Sequence, residues 1–143
     1  MGSRPAAALL QLPVRLHGIR LGQPVDVLLE TEEWRAIGFL VLCGDETQRF
    51  LPIAAAQPGD EEITVASALM LLEDIDFYLE RAASLRALLG GEVSRDGRPL
   101  GSLRDLLLDS DGAVRALVVE GKQGEARVAP HRTTVSPRRA TAA

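Results

Sequence analysis

The stretch LGSLRDLLLDSDGAVRALVVEG, residues 100–121, decides the fold. Asp111-Gly112 sits between two aliphatic runs, and Gly accepts the positive φ that a tight turn needs, so the segment reads as two antiparallel strands joined by a hairpin turn. Val114, Ala116 and Val118 alternate with Arg115, Leu117 and Val119, which is strand periodicity, whereas Leu106, Leu107 and Leu108 run together without a polar break. Such a strand must be covered on both faces. Asp96-Gly97 gives a similar turn signal upstream.

Working outward, the stretch LGQPVDVLLETEEWRAIGFLVLCG at residues 21–44 resembles it. Leu21 and Gly22 answer to Leu100 and Gly101, and Asp26, Leu28 and Leu29 answer to Asp105, Leu107 and Leu108. After a gap, Leu40, Val41 and Gly44 match Leu117, Val118 and Gly121. After another, Arg49 and Pro52 match Arg127 and Pro130. The chain thus contains two diverged copies of one strand-turn-strand unit. The turn of the first copy, Thr31 to Arg35, lacks Gly and reads as the wider loop.

Between the copies, Ile75, Tyr78, Leu79, Ala82, Leu85 and Leu89 recur at helical spacing. They predict a connecting helix over residues 74–89, capped by Asp74 and ended by Gly90-Gly91. Residues 1–13 and 136–143 are rich in Ala, Arg, Pro and Thr and read as flexible ends. The division expected is therefore a first unit at 14–73, the helix, and a second unit at 90–135.

Composition bounds the function. Aromatics make up only 3% of the 143 residues, so branched aliphatics must fill the core. A net charge of -4 with a pI near 5.2 argues against a protein whose main work is neutralising nucleic-acid phosphates. Cys43 is the single cysteine, which excludes an intrachain disulfide and a four-cysteine zinc site. A reducing, cytoplasmic setting fits best, and the apolar segment Ala6 to Leu12 is too short to span a bilayer.

No catalytic, cofactor or metal constellation is legible. His17 and His131 stand outside any motif that would pair them with a nucleophile; His17, within VRLHGI, reads as an ordinary strand residue. Cys43 reads as a buried aliphatic substitute. Asp109-Ser110-Asp111-Gly112 could open a calcium loop, but the aliphatic strand after it supplies none of the later oxygen ligands. Two features suit partner binding. Trp34, beside the acidic turn Glu30, Glu32, Glu33, is either a core residue or an exposed anchor. Arg132, Arg138 and Arg139 form a basic tail that either solubilises the chain or meets an acidic surface or RNA.

The recurring pattern of Leu-Gly, Asp-Leu-Leu-Leu-Asp, an Asp-Gly turn, a small residue before Leu-Val-Val and a later Pro resembles the PRC-barrel family. That family includes domains of the photosynthetic reaction centre H subunit and of a ribosome maturation factor. The second copy carries the likeness best, and RFLPIAAAQPGDEEITVAS in the first looks like the closing segment. The resemblance covers about residues 14–73 and 88–135, and its motifs are structural.

It implies a mainly β chain built from two small β-barrel units. It further implies a non-enzymatic protein-interaction or assembly module with an unidentified protein partner, and permits an RNA-processing or ribosome-assembly factor. One departure matters: after Val128-Ala129-Pro130 the second copy passes into HRTTVSPRRATAA, which lacks an evident closing strand. Its edge would then be filled by the segment Val14 to Ile19 or by another chain, which motivates a homodimer.

Overall fold

The computed structural model describes residues 2–137. Among these residues thirteen strands succeed one another. In the first part lie β1 (Arg4–Pro5), β2 (Val14–Leu16), β3 (Ile19–Glu30), β4 (Arg35–Cys43), β5 (Gln48–Pro52), β6 (Gln57–Pro58) and β7 (Ile63–Thr64). The remainder are β8 (Ala83–Ser84), β9 (Glu92–Arg95), β10 (Arg98–Leu108), β11 (Val114–Gly121), β12 (Gly124–Val128) and β13 (Thr133–Ser136). Three short helices, α1 (Ala6–Leu9), α2 (Ile75–Leu79) and α3 (Leu85–Leu88), complete the framework.

The strands form two sheets. One runs β5-β4-β3-β2-β7-β6 with β8 added on β3, and the other runs β12-β11-β10-β9-β13 with β1 added on β10. Neither path returns to its first strand among the described residues, so the mainly β character holds and the expected barrel closure is not among the pairings.

The two long hairpins, β3-β4 and β10-β11, show similar strand pairing. Asp26 pairs with Leu40 and Asp105 with Val118; Gly22 pairs with Cys43, while Ser102, next to Gly101, pairs with Glu120. Both long strands are bulged beside the aspartate and again between Leu28 and Leu29 and between Leu107 and Leu108. The repeated glycine has a steric reason: a Cβ at Gly22 would run into the Leu42 carbonyl, and one at Gly101 into the Glu120 carbonyl. The two hairpin tips bond reciprocally, Ala36 N donating to Gly112 O at 2.7 Å and Val114 N to Trp34 O at 3.0 Å. Trp34 and Gly112 both sit at positive φ, 57° and 92°. The tip that sequence leaves without a glycine places a tryptophan there instead.

The halves also exchange strands. β1, which leads into the first half, pairs with Leu107 and Leu108 of β10; β8, which leads into the second, pairs with Leu28 and Leu29 of β3. One aliphatic cluster therefore draws on both sheets, with Val27, Leu29 and Phe39 alongside Leu103, Leu106 and Leu117.

Several expectations are corrected. The connecting helix over 74–89 is not continuous: α2 ends at Leu79, Ala83–Ser84 is a strand, and α3 begins at Leu85. The cause is Asp26, only 6% exposed, whose carboxylate accepts the Ser84 hydroxyl and, at 3.1 Å, the Arg86 amide. Burying a carboxylate demands such donors, and satisfying them overrides helical propensity. Asp105 does the same for α1, accepting the Ala7 amide at 3.2 Å. That contact, with Ala6 and Leu9 buried, ties down residues whose composition reads as a flexible end.

His17 lies in a turn with Gly18, both at positive φ, rather than on a strand. It is the counterpart of Asp96-Gly97, which joins β9 to β10. The closing strand that the second copy seems to lack is present as β13, paired antiparallel with β9 over Thr133 to Ser136. Val14 to Leu16, the suggested donor, pairs instead with β3 and β7 of its own half.

Candidate interaction surface

Residues 68–82 cross the outer face of the first sheet, and the reason is local. Leu28, Leu40 and Phe50 turn away from the main core and form a second cluster, covered by Leu72, Ile75, Tyr78 and Ala82. Leu72 and Phe50 exchange two backbone hydrogen bonds of 2.8 Å, and Tyr78 stacks on Phe50 with ring centroids 3.9 Å apart. Burial of these aliphatic and aromatic surfaces holds the segment down. Two caps fix its shape: Ser67 Oγ accepts from Leu69 N at 3.1 Å, and Asp74 Oδ1 accepts from Phe77 N at 3.4 Å.

With Ile75, Tyr78 and Ala82 facing inward, the same segment must turn other apolar side chains to solvent. Leu69 is 86% exposed, Phe77 47% and Leu79 40%, and Met70 is similarly uncovered. The Arg81 guanidinium lies 3.8 Å from the Phe77 ring centroid, and its Nη1 donates to Phe77 O at 2.7 Å, which holds the ring upright. Glu73, Asp74, Asp76 and Glu80 are exposed along the same segment, which carries Arg81 as its exposed cation, so its charge is predominantly acidic.

Beside Leu69 lies an open hollow of about 670 Å³ bounded by Leu21, Cys43, Asp45, Arg49, Leu72 and Glu73. Arg49 Nη2 stands 2.8 Å from Asp45 Oδ2 and 3.9 Å from Glu73 Oε1. The Arg49 guanidinium, helped by Thr47, holds the Asp45 carboxyl well below the usual carboxylate range. Cys43 is buried at the end of β4.

The structure brings two of the sequence-derived candidates together. Trp34 and Arg132 line one hollow of about 610 Å³ with Thr31, Glu32 and Leu88. Trp34 is only 3% exposed, however, and its Nε1 donates to Thr133 O at 3.4 Å, so it packs as a core residue joining the first hairpin tip to β13. Arg132 is ion-paired with Asp96 at 2.7 Å on the surface. Arg138 and Arg139 lie outside the described residues. His17 and His131 are in separate exposed turns.

Sequence reasoning misses Leu69, Met70 and Phe77 as candidates. Helical spacing assigns Leu79 to the buried face of a long helix, and only the break after that residue reveals which of these side chains has nothing to cover it. Among the described residues no helix is long and apolar enough to cross a membrane, and no cluster of His, Cys, Asp and Glu could hold a metal ion. No protein-family model matches the chain, and no curated protein matches it.

Proposed function

We propose that the chain is a non-enzymatic protein-interaction or assembly module of PRC-barrel type, and that it docks its partner on the segment 69–79. The observation that carries this reading is the uncovered set Leu69, Met70, Phe77 and Leu79 on a segment pinned from beneath by Leu72 and Tyr78. The Phe77 ring, held by Arg81, loses little entropy on binding, and aromatic or aliphatic anchors dominate interface energies. The excess of exposed acids along the segment calls for a partner surface that combines apolar and cationic groups. It also repels phosphate, which favours a protein over RNA for this surface.

The test is affinity capture from a native lysate, with and without nuclease, comparing the wild type with a Leu69→Asp/Phe77→Ser variant. Both changes are at exposed positions and should leave thermal unfolding nearly unchanged. The expected result is a small set of proteins retained regardless of nuclease and reduced at least about tenfold by the variant, roughly 1.4 kcal/mol or more of lost binding energy. Capture that is indifferent to the variant overturns the surface assignment. Ribosomal components that vanish with nuclease would transfer support to the RNA-linked reading.

A further inference from the structure

The outer strands of the two sheets meet different fates. In the first sheet the free edge of β5 is occupied: Phe50 N donates to Leu72 O and Phe50 O accepts from Leu72 N. In the second sheet, Arg127 of β12 stands opposite Val118 as Phe50 stands opposite Leu40. β12 is the end of its sheet, with no described strand on its far side, and Gly124 through Arg127 are exposed. An edge of this kind presents unpaired N–H and C=O groups to any strand that can reach it.

We propose that β12 pairs antiparallel with β12 of a second copy, about a twofold axis at Ala126, to form a homodimer. The ladder parity allows it. Residues of an antiparallel ladder alternate in the direction of their backbone groups. Phe50 spends both of its groups outward on Leu72, so Arg127, at the equivalent position, turns its own outward, and Glu125 two residues away does too. In this register Glu125 faces Arg127 of the partner subunit and Arg127 faces the partner's Glu125, each pair matched in backbone hydrogen bonding. A strand that is self-complementary in charge and in parity is what an isologous interface requires.

Charge within one copy points the same way. Glu125 lies opposite Glu120, a like-charge cross-strand pair, while Glu120 is already held by Arg104 at 2.6 Å. Among the described residues, neither Glu125 nor Arg127 has an ion-pair partner. The partner's Arg127 relieves Glu125, and the symmetry repeats the gain.

A strand this short makes a small interface, so the dimer is reversible, with a dissociation constant expected between about 1 μM and 1 mM. Sedimentation velocity across that concentration range is the test. The wild type should dimerise with rising concentration. Glu125→Arg and Arg127→Glu should each weaken association at least about tenfold by setting like charges opposite one another. An equimolar mixture of the two should recover it, as should the doubly exchanged chain E125R/R127E. Arg127→Pro should abolish it by deleting an outward donor while sparing the bonds to β11. A wild type that stays monomeric throughout, or a dimer indifferent to the charge variants, overturns the proposal.

Discussion

Phe50 and Arg127 occupy the same place in the two halves, each on the strand outside the hairpin and each opposite the residue that pairs with the repeated aspartate of its half. Phe50 is buried beneath a stacked tyrosine, whereas Arg127 stands in solvent. The difference lies in the connection that leaves each strand. After β5 the chain spends residues 53–82 passing over and around its own sheet; after β12 it turns within residues 129–132 straight into β13. Covering a face permits apolar residues there, and an uncovered face takes charge. Similar pairing of the two long hairpins therefore coexists with different outer faces, and those faces are where partners are proposed to bind.

Substitutions at matched positions can break this comparison. Phe50→Ala removes the base on which Tyr78 and Leu72 rest and is expected to cost about 3 to 4 kcal/mol, whereas Arg127→Ala in the monomer should stay within about 0.5 kcal/mol. Urea unfolding midpoints at low protein concentration would read both. Equal losses would mean that the two outer faces are energetically alike.

The aspartates sharpen the comparison with smaller effects. Asp26 accepts from the Val27 and Arg86 amides and from Ser84, and is buried; Asp105 accepts from Leu106 and Ala7 and is partly open to water. Asp26→Ala should cost about 3 kcal/mol and Asp105→Ala about 1 kcal/mol, because stranded donors near Asp105 can turn to solvent. The same unfolding assay decides, and a reversed order would contradict the roles assigned to the two lead-in strands.

Much of the plan is legible in the sequence because turns and core leave local marks. Asp96-Gly97 and Asp111-Gly112 are turns as read, Asp74 caps α2, and Asp26, Leu28 and Leu29 hold pairing positions like those of Asp105, Leu107 and Leu108. Beyond the hairpin tip the sequence alignment slips by one residue. It matches Leu40 to Leu117, but by sheet register Leu40 is the counterpart of Val118 and Phe39 that of Leu117. Leu, Val and Phe are interchangeable to a pattern of apolar residues, whereas one residue of slip moves a side chain from the inner to the outer face.

The features that sequence hides depend on contacts remote along the chain. The break between α2 and α3 is imposed by Asp26, and β13 is built from the polar run Thr133-Thr134-Val135-Ser136, whose pairing with β9 no local signal announces. The candidate surface is hidden for the same reason. Leu69 and Phe77 belong to no motif, and only the course of the covering segment shows them exposed.

The reciprocal strand exchange makes one further demand. If β1 and β8 lock each half to the other around a shared core, the halves must unfold together. Equilibrium urea unfolding monitored by Trp34 fluorescence and by residue-resolved amide NMR signals in both sheets tests this directly. The interlocked account predicts a single midpoint shared by residues 14–64 and 92–136. Loss of one half at a distinctly lower urea concentration, with the other still folded, would contradict it.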